Sequence, residues 1–398
     1  MALPRISHAE RRRRIAVRQA VAPAHRLGSV EAVTRAMTVL HATEAATVHL
    51  AVAARSEGLD VDDVDHALYD ERSIVKQLAM RRTLFVFPRD LLPAAWGSAS
   101  ARVATAEGKR VAKMVEGAGL ADDGAAWLDA ARAATLARLA AGPATTAELR
   151  AQVPELAGSV GGDTGKPYDR PVPVAPWVLT HLGLTGAAFR GRNAGHWRVN
   201  KPTWATAEEW LGAVGQPWVE AAGYAELVRR WLATFGPGTV ADVQWWLGST
   251  KTAVTRALTD LGAVEVVLDD ATTGWVLPDD TADTPPVEPW AALLPTLDPT
   301  VMGWKSRDFY LDPVHVPRLF DTNGNAGTTA WWDGRVVGCW VQDDAGAVRL
   351  SLLEDVEPAG LVALEQEADR LTRWLDGTVV GTVYSSPQMK QARLSLTA

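Results

Sequence analysis

The chain has 398 residues, 47% of them hydrophobic, a formal net charge of −7 and one cysteine. That length predicts several compact units, because single cores stop growing near about 250–300 residues. The composition excludes disorder and collagen-like repeats, and no stretch offers the roughly 18–20 apolar residues of a membrane span. Cys339 alone rules out a disulfide framework or a cysteine zinc site. The Arg-rich N-terminus lacks an apolar core region, so no secretory signal is expected and a cytoplasmic protein is. The charge is uneven. Residues 1–200 hold 26 Lys+Arg against 20 Asp+Glu, a net of +6, and residues 201–398 hold 14 against 27, a net of −13. Of the 17 Trp, 15 lie from Trp177 onward, which points to large packed surfaces.

In chain order, Ser7 is placed to cap a helix bearing Arg11, Arg12, Arg13, Arg14 and Arg18. Ser29 is placed to cap a second, with Val30, Val33, Met37 and Leu40 at helical spacing and His41 at the rim of that face. Ala45–Ala54 and Asp60–Asp70 read as two more. Ile74–Met80 and Thr83–Pro88 read as strands joined at Arg81-Arg82. The outline then recurs: Thr145 and Thr146 open a short helix, and Val172–Leu184 is another. Ala187–Arg192 and His196–Asn200 form a hairpin across Asn193-Ala194-Gly195, where Asn and Gly tolerate positive φ. It recurs again with helices Tyr224–Phe235, Val240–Leu247 and Thr250–Leu261, then a hairpin of Val264–Leu268 and Gly274–Leu277. Residues 283–289 read as a linker. Strands Thr328–Trp332, Val336–Gln342 and Val348–Leu353, a helix Ala359–Leu375 and a last strand Thr378–Tyr384 complete the chain.

Helices followed by a two-stranded hairpin are the outline of a winged helix. The expected fold is therefore α+β: three tandem winged-helix domains followed by a C-terminal β-rich, barrel-like domain. The divisions are 1–120, with a basic N-terminal helix, then 121–202, 203–282 and 283–398.

A winged helix that binds DNA sets one helix in the major groove and a basic wing on the backbone. Arg81 and Arg82 on the first hairpin, and Arg190, Arg192 and Arg198 on the second, fit that role. The third hairpin is acidic, with Glu265, Asp269 and Asp270, and fits a scaffold. The Arg11–Arg14 run is either a phosphate-contacting arm or is paired with local acids. His41-Ala42-Thr43-Glu44 is the densest polar cluster. A neutral imidazole can take a proton from water, a Thr hydroxyl can position that water, and a carboxylate can stabilise a developing cation. The ordinary role of such a His is a cap or a hydrogen-bonded core residue. There is no P-loop or dinucleotide fingerprint, no metal-ligand spacing among the histidines and no nucleophile elbow. No cofactor and no metal are expected.

Leu40-His41-Ala42-Thr43-Glu44, Ala67-Leu68-Tyr69 and Met80-Arg81-Arg82-Thr83-Leu84-Phe85 together resemble the first domain of the tandem winged-helix DNA glycosylases of the AlkZ/YcaQ-like group. The resemblance continues through Arg170-Pro171-Val172, Trp177-Val178-Leu179, Leu294-Pro295-Thr296-Leu297-Asp298-Pro299, Gly324-Asn325-Ala326-Gly327 and Trp331–Gly338. It implies hydrolysis of the N-glycosidic bond of alkylated purines, including bulky adducts and interstrand crosslinks, without a metal. The partner it implies is alkylated double-stranded DNA. Where the family carries Gln-Φ-Gln or Gln-Φ-Asp, this chain has His41-Ala42-Thr43. The resemblance then makes His41 the water-activating base, Thr43 a water ligand and Glu44 the oxocarbenium stabiliser. Arg81, Arg82, Thr83, Lys166, Arg170, Arg190, Arg192, Arg198 and Asn325 are the expected DNA contacts, although for Asn325 a turn needing positive φ is the favoured role. The alternative is a non-catalytic winged-helix DNA-binding protein, regulatory or architectural. Three unlike units in one chain fit a monomeric clamp.

Overall fold

The computed structural model describes residues 3–161, 170–212 and 215–397. Among these described residues, three three-stranded sheets, a four-stranded sheet and a two-stranded pair lie among helices, an α+β architecture.

The first sheet orders Leu40–His41, Leu84–Pro88 and Ile74–Leu78, all antiparallel. Ser29 accepts the Ala32 N–H and starts the Val30–Ala36 helix, whose Val30 and Val33 are buried. That helix stops short of Leu40, contrary to the periodicity, because Thr38 adopts φ +63°. Its hydroxyl lies 3.0 Å from the Arg230 carbonyl and 2.9 Å from the Thr234 hydroxyl. The chain then turns into a short strand, so His41 sits on a sheet edge rather than at a helix end. Asp60 caps Val61–Asp65 through a capping box, and a π turn, His66–Asp70, follows. The turn between the two long strands holds Arg81 and Arg82 both at positive φ, 55° and 57°.

The second sheet orders Ala144–Thr145, Pro202–Thr206 and Ala188–Asn193. The partner of Ala188–Asn193 is thus Pro202–Thr206, not His196–Asn200. Trp204 and Ala205 are buried beside Ala188 and Phe189, whereas residues 196–200 offer mostly exposed side chains to the connecting loop. Two long helices, Ala99–Gly117 and Gly124–Leu139, fill a stretch for which the sequence carried no expectation. Val111, Val115, Leu128 and Leu139 form with Trp204 a core of their own.

The third sheet orders Arg5–Ile6, Val264–Leu268 and Thr273–Val276. Its outer strand comes from the N-terminus and runs parallel to Val264–Leu268, with Ile6 buried against Val266, Leu268 and Val276. The following helix, His8–Arg18, packs beside Glu220–Phe235. The arginine run pins it there. Arg14 bonds Glu10 and Asp280, Arg18 bonds Asp280, and Arg12 donates to the Phe309 carbonyl. Arg11 is 5% exposed with its guanidinium 3.4 Å from the Phe309 ring centroid. These arginines join the N-terminus to residues 220–310, so the phosphate-arm option falls.

The C-terminal sheet runs Ala291–Leu294, Thr329–Trp332, Arg335–Gln342 and Val348–Leu352 in consecutive antiparallel order. The ladder is open, not barrel-like, because helices cover both faces. Alternation along the strands sends Leu293, Ala330 and Trp340 toward Leu364 and Leu371 of Pro358–Leu375. It sends Leu294, Trp331 and Val341 toward Met389 of Pro387–Thr397 and the main core. No strand forms at 378–384. The backbone there bonds side chains instead: Val380 N–H reaches Gln342, and Val383 N–H reaches Glu44.

Candidate functional site

The sharp turn out of the Leu40–His41 strand into the Ala45–Arg55 helix sends the three motif side chains in different directions. His41 is 6% exposed, its ring edge-on to Phe85 at 5.2 Å. Its Nδ1 accepts the Thr43 N–H at 3.5 Å, at the outer limit of a hydrogen bond. A neutral ring with Nδ1 accepting carries its proton on Nε2. Burial, and then the Arg81 charge, pull the imidazole pKa down to about 3. His41 is therefore neutral throughout the physiological range.

Thr43 is half-buried on a cleft of about 340 Å³. The first sheet contributes Leu78, Arg82 and Leu84, and the Ala99–Gly117 helix contributes Glu107 and Arg110. Trp177 and Thr180 come from the Ala175–Leu184 helix, and Arg190 and Asn200 from the second hairpin. Asn200 donates its amide to the Thr43 carbonyl at 3.3 Å, which ties the second unit to the motif loop. Arg82 and Arg110 share Glu107, at 3.2 and 2.8 Å. Burial raises the Glu107 carboxyl, but the bonds from Arg110 and Arg82 outweigh it and hold it below its usual value. Arg190 has no carboxylate partner among the described residues, and its buried Nε is unpaired. Burial lowers its pKa to about 10, which leaves it charged and the cleft cationic.

Glu44 turns away from that cleft. Its Oε1 accepts the Thr382 hydroxyl at 2.8 Å and the Val383 N–H at 2.7 Å, in a small pocket with Leu50, Thr296 and Met389. Burial raises its carboxyl above the usual range despite those bonds. The structure thus brings Thr43, Arg82 and Arg190 together and leaves His41 and Glu44 outside.

The other expected contacts divide. Arg81 lies over the Trp245 ring at 4.4 Å and lines a second groove. Burial, then Arg307, lower its pKa to about 10. Thr83 is half-buried at the end of the turn, its N–H on the Met80 carbonyl. Arg170 is exposed, and Lys166 lies outside the described residues. Arg192 pairs with Asp70 at 2.8 Å and Asp65 at 3.6 Å. Arg198 donates to the Val379 carbonyl. Asn325 gives both its N–H and its amide to Asp321, at 2.9 Å each, beside Gly324 at φ +80°. The last three are engaged within the protein, and Asn325 serves a turn. Glu107, Arg110 and Asn200 were not anticipated. The Glu107/Arg110 spacing of three, which puts both on one helix face, was the available signal.

The family model for DNA glycosylase AlkZ-like matches residues 34–374. The chain belongs to the AlkZ-like DNA glycosylase family. Among solved structures, the Streptomyces sahachiroi DNA glycosylase AlkZ superposes with a TM-score of 0.73 at 20% identity, covering 94% of this chain and 98% of that one. At that identity the likeness speaks for the fold, and it agrees with the small sheets and helices described above. No curated protein matches in sequence. Family membership makes DNA the substrate and DNA repair the setting. Among the described residues, no group of three or more His, Cys, Asp or Glu could hold a metal ion. No helix among them is long and apolar enough to cross a membrane.

Proposed function

We propose that this family member is a monofunctional DNA glycosylase that hydrolyses the N-glycosidic bond of alkylated purines, bulky adducts and crosslinks included, in repair or genotoxin resistance. The observation that carries the reading is the Thr43 cleft, where a motif residue lines a recess of about 340 Å³ together with Trp177, the Glu107 carboxylate and arginines suited to the DNA backbone. An N7-alkylated purine is already cationic and leaves as a neutral base, so a positioned water suffices and no metal is required. In this reading Thr43 holds the water. Its loop is held by His41 through the Thr43 N–H and by Asn200 through the Thr43 carbonyl. His41 acts by positioning, since a base whose conjugate acid has a pKa near 3 accepts a proton weakly. Glu107, the carboxylate on the cleft, takes the electrostatic role first expected of Glu44. Arg82, Arg110 and Arg190 hold phosphates. The reading includes a cytoplasmic monomer, with the segments 1–120, 121–202, 203–282 and 283–398 clamping the duplex as three winged helices and a β-rich domain.

The test is release of base from duplex containing 7-methylguanine, scored as abasic sites. The wild type should release it, and Thr43→Val should lower the rate at least about tenfold, the scale of losing one acid–base or water-positioning group. The divergence of His41 and Glu44 from the cleft favours a second reading, a DNA-binding protein without catalysis. Absence of release from any N-alkylpurine, with salt-sensitive binding intact, would establish it.

A further inference from the structure

The Ala99–Gly117 helix turns Ala104, Glu107, Val111 and Val115 inward and leaves Arg102, Lys109 and Lys113 exposed on the opposite side. Among the described residues these three cations make no ion pair, unlike Arg192 and the N-terminal arginines. Thr105 and Ala106 lie between them, and side chains that short let a bulky surface approach. Beside this face runs a groove of about 590 Å³, walled by Arg102 and Lys109, by Arg81 and Arg82 of the positive-φ turn, and by Gly248 and Glu220. Gly248, at φ +61°, leaves room for Arg81, whose Cγ lies 2.7 Å from where a Cβ would be. Arg82 borders both this groove and the Thr43 cleft. Even with Arg82 paired to Glu107, these four cations outnumber the carboxylates, Glu220 and Glu107, and suit an anionic partner. At 1.5 Å per residue, Arg102 to Lys113 spans about 16 Å, the axial length of about five phosphates on one DNA strand.

We propose that the backbone of duplex DNA docks along the Ala99–Gly117 helix, with Arg102, Lys109 and Lys113 on separate phosphates within a run of about five. The Arg81-Arg82 turn then leads one strand into the Thr43 cleft. This rests on the DNA reading above but not on catalysis. It moves the main contact surface from the second hairpin, where Arg192 and Arg198 are engaged, to a helix outside both hairpins.

The test is anisotropy-measured binding of an undamaged 20-base-pair duplex at several KCl concentrations. The stripe variant Arg102→Gln/Lys109→Gln/Lys113→Gln is compared with the control Arg256→Gln/Arg335→Gln/Arg373→Gln, all on exposed side chains. At about 0.9 in the salt slope per neutralised phosphate, the stripe variant should lose roughly 2–3 from the slope and at least about tenfold in affinity, and the control should keep both. An unchanged slope in the stripe variant, or equal losses in both, overturns the proposal. A wild type that binds no duplex overturns it together with the DNA reading. Slope loss without release of any N-alkylpurine leaves this docking standing and removes the glycosylase reading alone.

Discussion

The His41 imidazole is packed edge-on to Phe85 and pulled to a pKa of about 3 by burial and then by Arg81. Its folded value is depressed from 6.5, so the unfolded chain binds the extra proton first. The sign follows: its stabilising contribution is complete above about pH 6.5 and is lost as pH falls toward 3. His41→Gln removes that titration. Urea midpoints at pH 7.5 and pH 5 should therefore fall less in the variant than in the wild type, and equal falls would contradict the assignment. The sequence marked 41–44 as the densest polar cluster but could not show which side chains share a cleft. That depended on Thr38 breaking the helix and on Thr382 and Val383 capturing Glu44. Both partners are remote in sequence, and helical periodicity carries no trace of them.

Secondary structure was legible where a local signal fixed it. Ser7, Ser29 and Asp60 cap the helices they precede. The strands expected at Thr328–Trp332, Val336–Gln342 and Val348–Leu353 form as Thr329–Trp332, Arg335–Gln342 and Val348–Leu352. The failures came where distant chain supplied the partner: Arg5–Ile6 on the third sheet, Pro202–Thr206 in place of residues 196–200, and the side-chain-bonded 378–384. At Gly248 a local rule and a tertiary contact coincide. It ends the Val240–Leu247 helix in the left-handed conformation, and a Cβ would strike Arg81. Gly248→Ala should cost about 1 kcal/mol or more, read as a lower melting temperature. It should also weaken duplex binding by displacing Arg81.

Across the whole molecule, the net charge of −7 conceals a division of labour among the arginines. Those of the N-terminal run lock the first segment to the acidic half through Asp280, while those at 81, 82, 102 and 190 face the grooves. A second lock is Arg55 with Asp298, both fully buried, at 2.7 Å and supported by Thr300. It joins the helix after the motif loop to the segment between the first two strands of the C-terminal sheet. Breaking a buried pair by removing one partner costs about 3–5 kcal/mol, so Asp298→Ala should lower the unfolding free energy by that amount. A change under about 1 kcal/mol would mean that water enters there.

In the proposed reading the Thr43 cleft, lined by Arg82, Arg110 and Arg190, is the place where DNA meets the motif loop. Single-turnover release of 7-methylguanine from duplex DNA, wild type against Thr43→Val, tests that claim most directly. Release by the wild type with a rate at least about tenfold lower in the variant is the predicted result. Equal rates in the two proteins would contradict it.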